Sequence, residues 1–263
     1  MSSDRPLILL SNDDGFDAAG LIALRKALAR FADVVVCAPA TNQSATSHKL
    51  TLTTVLRLRR IDPSTFALDG TPADCIYVAL HSREKLLPRW PDLVVSGMNH
   101  GPNLGVDVVY SGTVAAAREA AHRGIPAVAV SADVRPARPA AARCGADVVA
   151  RVWRTWSERP GPREADPGGP APLLNVNIPP GAGPWPVRAT TTGRRRYDDD
   201  VVYREDPRGR EYLWIGGFNV RHDAAAGSDT EAWDRGAASV TPLTLDVDES
   251  RHRGLATAAA GDG

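Results

Sequence analysis

An α/β fold built on a doubly wound, mostly parallel sheet is predicted by three features of the chain. Short apolar runs alternate with amphipathic stretches through the first 135 residues, the order expected of repeated βαβ units. The runs are apolar throughout, as strands covered on both faces must be. Polar, glycine-rich loops follow the runs, where open α/β sheets bind their ligands.

The elements follow in chain order. Leu7 to Leu10 reads as the first strand, Ala18 to Phe31 as a helix and Val34 to Cys37 as the second strand. Leu21, Leu24, Leu28 and Phe31 recur at spacings of three and four, so one helical face can cover the sheet. Lys49 to Arg60 alternates apolar and polar residues, which predicts a half-exposed strand beside the parallel core. Strands at Asp92 to Val95 and Ala127 to Val130, with helices at Pro72 to Leu80 and Thr113 to Arg123, continue the alternation. A helix over Arg138 to Ser157 runs into a Pro/Gly-rich loop from Arg159, and Leu173 to Ile178 is one more strand. Residues 1–180 are thus expected to form a Rossmann-like catalytic core. Residues 181–263 are expected to form an arm and a C-terminal segment serving self-association rather than an independent domain. In that arm, Val201 to Arg204 and Glu211 to Ile215 read as a hairpin carrying Tyr203, Tyr212 and Trp214. The small residues from Ala256 to Gly263 are expected to fray.

Composition narrows the function. The 31 basic and 31 acidic residues cancel, so overall charge gives no argument for a DNA or RNA duplex as partner. Three cysteines without CxxC spacing argue against a disulfide framework and a structural zinc site, and a cytoplasmic location is expected. The N-terminal residues do not read as a signal peptide, and no apolar run approaches membrane-spanning length, so no membrane partner is expected. Neither GxxxxGK[ST] nor GxGxxG after the first strand is present, which weakens ATPase and dinucleotide readings.

The candidate chemistry lies in the loops after the strands. Strand one ends in Ser11-Asn12-Asp13-Asp14-Gly15, and two adjacent carboxylates repel unless a cation or proton relieves them. Either a divalent metal sits there, or one aspartate caps the following helix while the other is solvated. Ser96 to Gly105 is a loop dense in glycine and asparagine, in which Asn99 can offer an oxygen to a hard cation or an amide to phosphate. Ser111-Gly112-Thr113 opens a strongly helical run, which is either an anion site at a helix N-terminus or a plain cap. The hydroxyl-rich loop Ala38 to His48 returns to the same edge, with Ser44 a metal ligand, a nucleophile or simply polar surface. Together these loops suggest metal-assisted chemistry on a phosphate.

Read together, LLSNDDG at 9–15, LDGTPADC at 68–75, VSGMNHGPNLGVDVVYSGTVAAA at 95–117 and SVTPL at 239–243 resemble the SurE family of metal-dependent nucleotidases in residues, order and spacing. The resemblance implies a Rossmann-like core with a hairpin arm and swapped C-terminal segment, assembled as a dimer or tetramer. It implies a 5'-nucleotidase hydrolysing nucleoside 5'- and 3'-monophosphates, and in some members short polyphosphate, with one Mg2+ or Mn2+ ion. Carried over residue by residue, it places metal ligands at Asp13, Asp14, Ser44 and Asn99, and the catalytic roles at Asp13 and Asp14. Phosphate contacts fall on Asn12, Asn103, Ser111, Gly112 and Thr113. The chain departs from the family's pattern at Gln43 and Ala45, where an arginine and a glycine usually flank the serine, and at Ala237 and Ala238. A phosphatase for another phosphorylated metabolite and a non-hydrolytic nucleotide-binding module are the alternatives.

Overall fold

The computed structural model describes residues 5–133, 138–158, 171–197, 201–216, 219–223, 225–246 and 253–260. The chain runs β1 (Leu7–Ser11), α1 (Ala19–Leu28), β2 (Asp33–Pro39), β3 (Leu58–Asp62), β4 (Thr65–Leu68), α2 (Pro72–His81) and β5 (Leu93–His100). It continues through α3 (Asp107–Tyr110), α4 (Gly112–His122), β6 (Ala127–Ala132), α5 (Arg138–Ser157) and β7 (Leu173–Ile178). Next come β8 (Val187–Ala189), β9 (Arg195–Tyr197), β10 (Val201–Glu205), β11 (Glu211–Ile215) and β12 (Val220–His222), then α6 (Asp229–Asp234), β13 (Ala238–Leu243) and α7 (Arg253–Ala260).

The main sheet has nine strands in the order β3-β4-β2-β1-β5-β6-β7-β13-β8. From β4 to β7 every neighbouring pair is parallel, and antiparallel β3 and β13 flank that block. Period-two alternation explains its two cores. In β1, Ile8 and Leu10 meet Leu21, Leu24 and Leu28 of α1 and Val148 and Val149 of α5, whereas Leu7 and Leu9 lie in the cluster of Ile76, Val114, Ala117 and Ala121 from α2 and α4. The alanine-rich inner face of α4 lets that helix lie close to the sheet.

Three expectations change. The strand expected over Lys49 to Arg60 forms only from Leu58, because the preceding stretch is held by a side chain rather than a ladder. Thr51 gives its N–H and its hydroxyl to the two oxygens of Asp74, at 2.8 and 2.7 Å. Leu52 is left 85% exposed there. Second, the sheet does not stop at residue 180: β13 pairs with β7 and β8 pairs with β13. SVTPL thus lies in a core strand, and the arm, β9 to β12, is a loop-out between two strands of the sheet. Third, the small residues expected to fray include Ala258, Ala259 and Ala260 within α7, as alanine's high helix propensity allows. The Pro/Gly-rich stretch 159–170 and residues 261–263 lie outside the described residues.

The expected hairpin is present as β10 and β11, paired from Val201–Ile215 to Glu205–Glu211. Trp214 is 67% and Ile215 86% exposed. Among the described residues no helix is long and apolar enough to cross a membrane.

Candidate active site

Three loops meet at the carboxyl ends of β1, β2 and β5. At the end of β1, Asn12 is fully buried and spends its amide on its own turn, donating to Gly15 O at 2.8 Å and accepting from Gly15 N at 3.3 Å. That Asx-type closure turns Asp13 inward and fixes the loop. Gln43 N donates to Asp13 O at 2.7 Å, and Phe16 N to Pro39 O at 2.9 Å, so the serine loop after β2 is stitched to the aspartates. His100 N donates to Asp14 Oδ2 at 3.1 Å, which joins the end of β5 to the same pair.

Asp13 is buried, and α4 begins against it. The Thr113 hydroxyl donates to Asp13 Oδ1, and the Thr113 backbone amide acts on the same carboxylate. A side chain at Gly112 would place its Cβ 2.9 Å from Asp13 Cβ, 3.1 Å from Pro72 Cγ and 3.2 Å from Asp13 Oδ2. Only a glycine lets the helix start this close. Burial lifts the Asp13 carboxyl from an ordinary value of 3.8 to about 6 against the pull of the Thr113 hydroxyl, and the Asp14 charge adds to the rise. No cationic side chain is among the groups acting on it.

Asn99 lies where β5 bulges against β6, between Gly97 and Asn99. Gly97 has φ +136°, and a Cβ there would sit 2.2 Å from Val130 O, so the bulge requires glycine. The Asn99 amide nitrogen donates to Gly101 O at 2.9 Å, and its Oδ1 is an oxygen of the kind a hard cation accepts. The set of two carboxylates, one amide oxygen and the Ser44 hydroxyl is all oxygen, as a hard divalent ion prefers. Asp13 is buried beside the partly buried Asp14, whose Oδ2 lies 3.9 Å from the His100 Nδ1, and a divalent ion would add positive charge next to the pair. Among the described residues there is no cluster of three or more His, Cys, Asp or Glu that could hold a metal ion.

Ser44 itself is exposed, its N–H held by Asn42 Oδ1 at 2.9 Å. The loop is pinned further on, where Ser47 donates from N–H and hydroxyl to Tyr110 O and Val109 O at 3.1 and 2.7 Å. His48 Nε2 then meets the buried Glu119 carboxylate at 3.0 Å. Ala45 has φ +59° and Ser47 φ +52°. A left-handed alanine explains why a glycine suits position 45. Ala45→Gly is expected to raise stability by about 1 kcal/mol, since it removes a Cβ clash. Thermal unfolding with metal chelated measures it, and a fall in Tm would contradict the loop geometry.

The other sequence-derived residues serve the frame. Ser111 caps α4, its Oγ accepting from Val114 N at 3.1 Å. Asn103 is buried, its Nδ2 donating to Ser131 Oγ at 2.8 Å. Asn175 and Asn177 of β7 donate to Asn103 O at 2.8 and 3.1 Å, and Asn177 Oδ1 accepts from Asn103 N at 2.7 Å. The geometry thus brings together Asp13, Asp14, Asn99, Gly112 and Thr113, with Ser44 on the adjoining loop. The side chains of Asn12 and Asn103 are committed to holding the loops. Sequence reasoning missed the His100 amide and the β7 asparagines. Alternation along β7 puts Asn175 and Asn177 on one face, and two asparagines inside an apolar strand were the available signal. The Tyr197 hydroxyl donates to Asp107 Oδ1 at 2.5 Å, which ties β9 to the loop after β5.

Comparisons with known proteins bear on the family and the fold. Residues 8–199 match the family model described as survival protein SurE. A protein of Sorangium cellulosum named 5'-nucleotidase SurE is 63% identical over 252 residues, covering 96% of this chain and 95% of its own length. One of the same name from Myxococcus xanthus is 44% identical over 248 residues, covering 94% and 90%. The crystal structure of the SurE protein from Aquifex aeolicus superimposes with a TM-score of 0.79 at 36% identity, over 97% of this chain and all of that one. By family model, by near-full-length identity and by fold, the chain belongs to the survival protein SurE family.

Proposed function

We propose that the protein is a metal-dependent phosphomonoesterase that releases phosphate from nucleoside 5'- and 3'-monophosphates, and from short polyphosphate as a secondary substrate. The observation that carries the reading is the buried Asp13 beside Asp14 with the start of α4 against it. The names of the relatives supply the substrate class. Asp13, Asp14, Asn99 and Ser44 would hold one Mg2+ or Mn2+ ion. When bound, such an ion neutralises phosphoryl charge and lowers the pKa of a water. Thr113 holds Asp13 in place. With Val114 N taken by Ser111 and Thr113 N bearing on Asp13, phosphate oxygens would be met by Gly112 N–H and by the Ser111 hydroxyl, which can donate while it accepts. Asn12 and Asn103 contribute by fixing their loops. A phosphatase panel run with each divalent ion and with chelator tests the reading, and turnover confined to phosphorylated metabolites other than nucleotides would replace the substrate class.

Metal binding requires the Asp13 carboxylate. Its folded value, about 6, lies above the ordinary 3.8, so between those values the folded metal-free protein holds more protons than the unfolded one. This group's contribution therefore falls as pH rises through that window, and an ion that binds the carboxylate reverses the loss. The rise in Tm on adding Mn2+ is expected to be large at pH 7.5 and to vanish below pH 5. Equal stabilisation at both would remove Asp13 from the metal site.

The reading includes self-association into a dimer or tetramer through the arm, supported by the exposed Tyr203, Trp214 and Ile215 of the hairpin. Light scattering at micromolar protein is expected to give a multiple of the chain mass, and a clean monomer would contradict it. A cytoplasmic location is supported by three free cysteines, two of them buried.

A further inference from the structure

We propose that Asp229 is a positioning residue for the reaction, tying the loop between Asn99 and Ser111 to the base of the arm; the inference rests on the site assigned above. Asp229 is fully buried at the start of α6. Its two oxygens accept from backbone amides of two separate loops, Oδ1 from Gly193 N at 2.7 Å and Oδ2 from Gly105 N at 3.1 Å. The approach is tight: a Cβ at Gly105 would lie 2.9 Å from both Arg195 N and Gly193 O, and one at Gly193 would lie 2.7 Å from Asp229 Oδ1. A buried carboxylate is costly unless its charge is met, and here amides pointing at one carboxylate from both sides meet it.

The clamp falls at a telling place. The loop leaves Asn99, passes Gly105 and reaches Ser111 and Gly112. Its Asn103 is held from within the sheet by Asn175 and Asn177. Positions 105 and 107 are held from outside the sheet: Asp107 takes an ion pair from Arg195 and the hydroxyl of Tyr197. Arg195 and Tyr197 form β9, which pairs with β12, and the exposed hairpin of β10 and β11 lies between those two strands in the chain. A shift at the base of the arm is therefore carried by Asp229 and Asp107 to the loop that places Asn99 on one side of the site and α4 on the other.

The test compares Asp229→Asn, Tyr197→Phe and the double variant. The asparagine keeps the shape but can accept only one of the two amides. Expected is a fall in kcat of about 10- to 100-fold for Asp229→Asn, the scale of a small misplacement of reacting groups, with KM changed much less. Mn2+ affinity should be nearly kept, since Asp13 and Asp14 stand on β1. Hydrogen exchange in metal-free protein should speed up around Gly105 and Gly193 together. Tyr197→Phe should lower kcat modestly, and the double variant should lose less than the product of the single losses, because both act on one loop. A core control, Leu28→Ala, corrects for stability: an equal kcat loss in it at the same drop in Tm would overturn the positioning role. Unchanged kcat in Asp229→Asn, or faster exchange around Gly193 alone, would also overturn it. Absence of phosphatase turnover in the unmodified protein would instead overturn the functional reading.

Discussion

Asp14→Asn is expected to cut kcat/KM by about 10²- to 10³-fold without unfolding the protein. Its Oδ2 accepts from His100 N, and an asparagine oxygen can keep that bond, so the local frame survives. What would be lost is one of the two carboxylates proposed to hold the divalent ion. Lewis-acid stabilisation of a phosphoryl transition state contributes several kcal/mol, and each 1.36 kcal/mol is tenfold, so a loss on the order of 10²- to 10³-fold in kcat/KM is expected. Mn2+ affinity should fall at least as far as the roughly 10- to 100-fold typical of losing an outer partner of a metal ligand. The Asp14 charge also raises the Asp13 carboxyl, so removing it relieves repulsion. The metal-free variant should be no less stable than the unmodified protein. Chelation of the unmodified protein should reproduce the activity loss. Turnover that both treatments leave unchanged would remove the ion and Asp14 from the mechanism.

The parts of this site that could be read from sequence are those carried by local chemistry. Asp13 and Asp14 stand at the end of an uninterrupted apolar run, and Ser111 to Thr113 open an alanine-rich helix, so both their types and their edge of the sheet follow from pattern. The βαβ opening was legible because Leu21, Leu24 and Leu28 repeat at helical spacing over a buried sheet. β4 was not, since four residues are too few for a period to show. β13 was legible only as a motif: as an antiparallel strand that closes the sheet from far along the chain, it carries no local sign of its partner. Asp229 was invisible for the same reason, lying 124 residues from the amide it holds. Ser44 stood out as a candidate through its hydroxyl-rich loop and the resemblance, but the left-handed backbone that shapes its loop did not, because alanine at position 45 hides a conformation that glycine would have announced.

Gly112→Ala is expected to damage the site while improving the helix. Gly112 is the first residue of α4, and alanine has the higher helix propensity by up to ~1 kcal/mol. In a helix end free of neighbours the substitution would stabilise. Here its Cβ would fall 2.9 Å from Asp13 Cβ, closer than carbon atoms tolerate, and 3.1 Å from Pro72 Cγ, a tight contact. Neither neighbour is a free end: Asp13 is buried under Thr113, and Pro72 is locked as the first residue of α2, whose capping box joins Thr71 and Asp74. The strain must therefore move the start of α4, the Asp13 side chain, or both. Either movement breaks the pairing of Thr113 with Asp13 and withdraws Gly112 N–H from phosphate. A displacement near 1 Å at the reacting groups costs about 10²-fold in rate, and that is the loss expected in kcat/KM. Mn2+ affinity should fall with it if Asp13, held by the helix, is also the proposed ligand of the ion. Kinetics, metal titration and Tm on one preparation decide the matter. Unchanged kcat/KM with a raised Tm would mean that α4 does not begin against Asp13 in solution.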